Sequence, residues 1–204
     1  MKAFFLQYNS ILPELMKRII YFFSLLALCQ FNASCQSNGP SKAEQSENMQ
    51  RLAALQNNFD VAYFASGCFW CVEAIYERLD GVEAVISGYS GGHTQNPTYD
   101  SSNTGLTGHA ESVMVFYQSG KISFQQLLEV YFASQNISQF NGQGPDNGPQ
   151  YRSILFYKTA EEKELIDQKI KALEAELGKG RVAAEVLLFE KFWIGEDYHQ
   201  DYEQ

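Results

Sequence analysis

Residues 61–73 read Val61-Ala62-Tyr63-Phe64-Ala65-Ser66-Gly67-Cys68-Phe69-Trp70-Cys71-Val72-Glu73. The apolar run 61–66 has the length and content of a strand, whereas Val72, Ile75, Tyr76 and Leu79 recur at helical spacing, so the chain turns from strand to helix at Gly67-Cys68. A cysteine at a helix start faces backbone N–H groups that lack intrahelical partners, and these, with the helix dipole, favour its thiolate. Phe69 and Trp70 beside it can wall an apolar pocket, which suits attack on a substrate with an apolar group on a reactive heteroatom. An arbitrary Cys-x-x-Cys pair is as readily two small buried hydrophobes. The glycine, the aromatic pair and the helix start together favour a nucleophile.

Working outward, the pattern predicts strand over 61–66, helix over 69–79, strand over 82–88, a Gly-rich loop through Gly105, and strand over 111–117. Helix over 123–136, a Gly/Asn/Pro loop to Gln150, strand over 151–158, helix over 160–177 and a last strand near 184–189 follow. Val113, Val115 and Tyr117 alternate as in a half-buried strand. Thr159 and Glu162 form a capping box, and Gly178 sits at the helix stop. The order βαββαβαβ closes as an α+β two-layer sandwich of ferredoxin-like, βαββαβ type, with long loops and an irregular tail over 196–204.

The chain of 204 residues has room for one sizeable core and not comfortably for two. A net charge of −9, a pI of about 4.8 and scattered Lys and Arg leave no footprint for nucleic acid. Lys17-Arg18 precede an apolar stretch, 19–29, shorter than the ~20 residues a bilayer span needs, which reads as a signal peptide with Met16 as a normal start. Asn32-Ala33-Ser34-Cys35 resembles a lipobox whose cysteine is lipidated. The expected division is a signal peptide with its lipobox cysteine over 1–35, a flexible polar linker over 36–58 and a catalytic domain over 59–204. The protein is then exported, to the bacterial periplasm or as a lipoprotein anchored at Cys35. A secreted chain without lipid and a buried N-terminal helix are the alternatives. With Cys29 cleaved away and Cys35 capped, Cys68 and Cys71 remain. A disulfide between them closes too small a loop to stabilise much, so a redox role fits better.

Two loops, 89–108 and 137–150, exceed what simple connections need and are read as functional. In and beside them lie Asn96-Pro97-Thr98-Tyr99, Gly108-His109-Ala110-Glu111 and Gly148-Pro149-Gln150-Tyr151-Arg152-Ser153.

With Gly67-Cys68-Phe69-Trp70, these segments resemble, in the family's order, the peptide methionine sulfoxide reductases of the A type, which act on the S epimer of the sulfoxide. The resemblance covers about residues 59–204. It implies that Cys68 is the nucleophile, that Phe69 and Trp70 hold the substrate methyl group, that Glu111 is the acid, and that Tyr99 and Tyr151 line the pocket. Asp146 matches a substrate-binding aspartate, although Asn147 stands where histidine is common and Pro149 where threonine is. No metal and no cofactor beyond a thioredoxin or other dithiol reductant is implied, and a monomer is expected. His199 matches a C-terminal family segment, with no role assigned beyond packing near the site.

The chemistry asks for these residue types. A sulfoxide oxygen leaves poorly until protonated, so an acid must deliver a proton while sulfur is attacked. Glu111, desolvated by aromatics, should have a raised pKa and be helped by hydrogen bonds from Tyr99 and Tyr151. Attack leaves a sulfenic acid on Cys68. No cysteine follows Cys71, so Cys71, at i+3 on the same helix face, is the candidate resolving thiol. Three rival readings are a thioredoxin-like oxidoreductase, a zinc site from Cys68, Cys71, His93 and His109, and a non-catalytic surface lipoprotein.

Overall fold

A computed structural model describes residues 42–203. The chain divides into two compact units, Met1–Asn48 and Met49–Gln204, and of the first only residues 42–48 are described. The expected signal peptide, the Met16 start and the lipobox at Cys35 lie outside the described residues. Among the described residues no helix is long and apolar enough to cross a membrane.

The order is α1 (Lys42–Asn58), β1 (Asp60–Ala65), α2 (Phe69–Glu77), β2 (Val82–Ser90), α3 (Tyr99–Asn103), β3 (Ala110–Tyr117) and α4 (Phe124–Ala133). There follow β4 (Gly142–Gln143), β5 (Asp146–Asn147), a 3-10 turn (Pro149–Tyr151), β6 (Ile154–Tyr157), α5 (Ala160–Leu177), β7 (Glu185–Leu188), β8 (Phe192–Ile194) and a second 3-10 turn (Asp197–His199). Six strands form one sheet in the order β7-β6-β1-β3-β2-β8. All neighbours are antiparallel except β6 and β7. The inner four, β6-β1-β3-β2, with α2 after β1 and α4 after β3, make the ferredoxin-like core expected from the sequence. β7 and β8 extend it at either edge.

Alternation along β1 and β3 divides the core. Phe64, Val113, Val115 and Tyr117 face the helices and pack with Phe69, Val72, Tyr76, Leu127, Leu128, Tyr131 and Ile166. Tyr63, Met114 and Phe116 face the other way, onto Leu52, Leu55, Leu187, Phe189 and Phe192. β3 is therefore buried along its whole length, not half-buried as its alternation suggested. The reason lies in the segment read as a flexible linker, which instead carries α1. Lys42–Asn58 contains neither Gly nor Pro and is rich in Ala, Glu, Gln and Leu, good helix formers. Its Leu52 and Leu55 then cover the sheet's second face together with Phe189, whose ring stacks on Tyr63 with centroids 3.7 Å apart.

Other differences are local. The strand expected over 151–158 is confined to Ile154–Tyr157, because Gly148 (φ +138°) and Pro149 set up a 3-10 turn ahead of it. The first long loop contains the short helix α3, capped by Thr98 with Ser101 in reciprocal bonds. The second holds the β4–β5 hairpin. At α5 the Thr159 hydroxyl accepts from Glu162 N–H, while the Glu162 carboxylate turns back to Lys158 N–H, one residue short of the expected box.

Candidate active site

Gly67 makes the turn between β1 and α2. Its φ of +87° suits glycine alone, and a Cβ there would lie 2.6 Å from Gln143 Cβ, so β4 of the second long loop can close over the turn. Cys68 follows as the N-cap of α2 in extended conformation (φ −60°, ψ 121°). Its thiol is half-buried, and the backbone N–H groups of Cys71 and Trp70 act on the sulfur. Burial nonetheless pushes the thiol up to about 12, with the Glu111 and Cys71 charges adding to the rise. The expectation of a resting thiolate is thus corrected: two N–H groups do not outweigh desolvation beside a carboxylate.

Glu111 enters from β3, paired with Tyr89 of β2. Only 2 % of it is exposed, and Oε2 accepts a hydrogen bond from Phe69 N–H at 3.0 Å. Burial raises its carboxyl to about 7; the Phe69 bond opposes the rise and the Asp146 charge adds to it. The expected raised acid is present, but its hydrogen bond comes from the helix start and not from the tyrosines. Tyr151, ending the 3-10 turn, is pushed up to about 12 by burial first and then by the charges of Glu111, Tyr99, Asp146 and Cys68. Those mutual influences show that the two long loops and the α2 start converge on one place.

The aromatic wall is built around Phe69. Its ring lies 5.8 Å from Trp70, 6.3 Å from Tyr99 and 4.9 Å from His199, centroid to centroid. Trp70 Nε1–H donates to His199 Nδ1 at 3.2 Å, and Tyr202 stacks on the indole at 3.9 Å. His199 is buried, which lowers its pKa although Glu196, 3.7 Å from Nε2, opposes the shift. The imidazole is neutral, accepts at Nδ1, and carries its proton on Nε2, toward Glu196. One Glu196 oxygen accepts from Tyr99 N–H at 2.9 Å and the other from Tyr89 O–H at 2.8 Å. Burial alone would raise Glu196, but these bonds hold it below the usual carboxylate range.

Glu196, Arg152 and Tyr202 went unread in the sequence, and His199 was left at packing near the site. Arg152 donates to the carbonyls of Pro149, Gly91 and Gly108 and pairs with Glu185, tying both long loops to the sheet edge. The apolar run Phe192-Trp193-Ile194, which pairs with β2, was the signal that the tail returns to the site. Among the described residues, Cys68, Cys71, His93 and His109 do not gather into one cluster of ligand atoms. His109 accepts from Gly92 N–H at Nδ1, and its Nε2 lies 2.9 Å from Thr94 O, so both ring nitrogens serve loop backbone. Cys71 is exposed on the first turn of α2, three residues after Cys68.

Comparison with known proteins identifies the family. The family model "Peptide methionine sulfoxide reductase" matches residues 60–204. Peptide methionine sulfoxide reductase MsrA of Saccharolobus solfataricus is 44% identical over 143 residues, 70% of this chain and 80% of that protein. The protein of the same name from Natronomonas pharaonis is 47% identical over 143 residues, 69% of this chain and 80% of its own. Among solved structures, methionine sulfoxide reductase A of Corynebacterium diphtheriae superposes with a TM-score of 0.64 at 29% identity, covering 71% of this chain and 74% of that one. Mxr1 from Saccharomyces cerevisiae in reduced form gives a TM-score of 0.63 at 30% identity, over 72% and 84% of the two chains. With the matched span taking in the whole sheet, both long loops and the tail that closes on Trp70, this chain belongs to the peptide methionine sulfoxide reductase family, in its A type.

Proposed function

We propose that the S epimer of methionine sulfoxide is reduced at Cys68, with Glu111 as the acid and Cys71 as the resolving thiol. The observation that carries this reading is the Phe69 N–H to Glu111 Oε2 bond, which holds a carboxyl of pKa about 7 against the residue that follows the nucleophile. The substrate methyl group rests against Phe69 and Trp70, and the sulfoxide oxygen faces Glu111, Tyr99 and Tyr151. Asp146 borders the polar edge.

With Cys68 resting as a thiol, its proton must leave as the sulfur attacks. Glu111, in the acid form, protonates the sulfoxide oxygen, and its carboxylate takes up the thiol proton. The Cys68 sulfur bonds to the substrate sulfur, hydroxide passes to Cys68, and methionine departs. The substrate sulfur gains two electrons and the Cys68 sulfur loses two, ending as sulfenic acid. Cys71 then attacks that sulfur, water leaves, and a Cys68–Cys71 disulfide forms after local loosening of the first helical turn. A thioredoxin-like dithiol returns both thiols to the reduced state. The N-terminal pattern supports export to the periplasm, with lipid at Cys35 as the anchor and the catalytic domain a monomer.

The test is single turnover of the purified full chain on separated S and R epimers without reductant. Methionine released from the S epimer alone, lost in Cys68→Ser and kept at one equivalent in Cys71→Ser, is the expected result. Equal release from both epimers, or release by Cys68→Ser, would overturn it.

A further inference from the structure

Glu196 has no part in the reaction just described, yet both of its carboxylate oxygens are committed. One accepts from the Tyr99 N–H at 2.9 Å and the other from the Tyr89 O–H at 2.8 Å. Tyr99 opens α3, and the capping box of that helix serves the N–H groups of Ser101 and Thr98. The Tyr99 N–H is thus a helix-start donor without a partner inside α3, and Glu196 supplies its acceptor. At the other end, Tyr89 is fully buried on β2, and its register partner on β3 is Glu111.

We propose that Glu196 is a positioning residue, which fastens Tyr99 to the sheet rung that carries Glu111 and so fixes the spacing of two groups that face the sulfoxide oxygen. The assignment rests on the reaction proposed above, in which Glu111 delivers the proton and Tyr99 lies beside the same oxygen. A five-residue helix in a long loop has few bonds of its own with which to hold a phenol in place. Misplacement by about 1 Å can cost on the order of 10²-fold in rate. Although burial works to raise it, Glu196 stays below the usual carboxylate range, so both of its bonds are charge-assisted at neutral pH. The same carboxylate lies 3.7 Å from His199 Nε2, a buried nitrogen with no hydrogen-bond partner among the described residues. The Tyr99 ring lies 4.6 Å from that imidazole, so Tyr99 is gripped at its backbone by Glu196 and at its ring by His199.

The competing role is that of a plain anchor for the tail. Gln200 already serves as one, exchanging hydrogen bonds with the backbone of Ser87 and not with Tyr99. It is therefore the control.

The test is a double-mutant cycle on the purified full chain, read as the single-turnover rate of methionine release at saturating S epimer. Tyr99→Phe removes the phenol and keeps the backbone N–H, and should slow that rate roughly 10-fold or more. Glu196→Ala should slow it about 10-fold, with a smaller change in the half-saturating concentration. The double variant should be no more than about 2-fold slower than the slower single, because both changes cost the same positioned phenol. Tyr89→Phe loses only a hydroxyl and keeps the buried ring. It should slow the rate about 3-fold or more and likewise add little to Tyr99→Phe. Whatever loss Gln200→Ala causes should multiply in full with that of Tyr99→Phe. A wild type that releases no methionine from the S epimer, or Tyr99→Phe at the wild-type rate, overturns the reaction as proposed and the role of Glu196 with it. With Tyr99→Phe slow, the role of Glu196 alone is overturned by any of three results. These are losses that multiply in the Glu196→Ala double variant, a Tyr89→Phe rate equal to wild type, or a Gln200→Ala loss that vanishes in the Tyr99→Phe background.

Discussion

Phe69 and Glu111 lie 42 residues apart in the chain, yet the N–H of one donates to the carboxylate of the other across 3.0 Å. The bond fastens the start of α2, immediately after Cys68, to the head of the central strand. It uses a helix N–H that has no intrahelical partner, so the acid is anchored without a dedicated side-chain donor. Proton source and nucleophile thereby share one rigid joint.

Glu111→Gln preserves the shape and a carbonyl for the Phe69 N–H but removes the proton. Single-turnover reduction of the S epimer should fall by roughly 10²–10⁴. In wild type the rate should decline as pH rises through about 7, where the Glu111 acid form is lost. Rapid-quench measurement from pH 5.5 to 9 should show that limb in wild type and none in the variant.

Stability should respond to the same group. The folded pKa of Glu111, about 7, lies above its ordinary value of 4.5, so between these pH values the native state holds more protons than the unfolded one. Its stabilising share is full below about pH 4.5 and lost as pH rises through about 7. The wild-type minus Glu111→Gln difference in unfolding free energy should therefore fall between pH 5 and 8 by roughly 1–3 kcal/mol, as urea denaturation would measure.

The two cysteines should react in an order opposite to their catalytic rank. Cys68 is half-buried with its thiol pushed up to about 12, whereas Cys71 is exposed. Iodoacetamide at pH 8 should label Cys71 at least about tenfold faster, by peptide mapping, because the thiolate is the reacting species. Glu111→Gln removes a charge that raises the Cys68 pKa, and should narrow the gap.

His199→Phe keeps a ring beside Phe69, Trp70 and Tyr99 but leaves Trp70 Nε1–H without its acceptor. The cost of about 1–3 kcal/mol for an unsatisfied donor should appear mainly as a raised KM for the sulfoxide, with kcat changed less. His199→Asn, which can offer an acceptor of its own, should restore part of the loss.

How much of this was legible beforehand depended on how local each signal was. The strand-to-helix turn at Gly67-Cys68, the capped helix over Ala160–Leu177 and the alternation of β1 and β3 follow from the spacing of apolar residues and the positions of Gly and Ser/Thr. Those signals act over a few residues, and the chain alone determined them; Cys68 followed from the turn, whereas Glu111, Tyr99, Tyr151 and Asp146 were named through the family resemblance. The structure decided what no local pattern carries. α1 looked like a tether because its polar residues outnumber Leu52 and Leu55, and only the open second face of the sheet gives those leucines something to cover. Cys68 read as a thiolate because the helix start favours one; its pKa is set instead by burial and by Glu111, which tertiary contact brings from β3. Glu196 and His199 sat in a tail with no periodicity, and became part of the site because β8 pairs with β2 and returns the chain to Trp70. Long-range pairing and desolvation depend on which surfaces meet, and that is fixed only when the whole sheet closes.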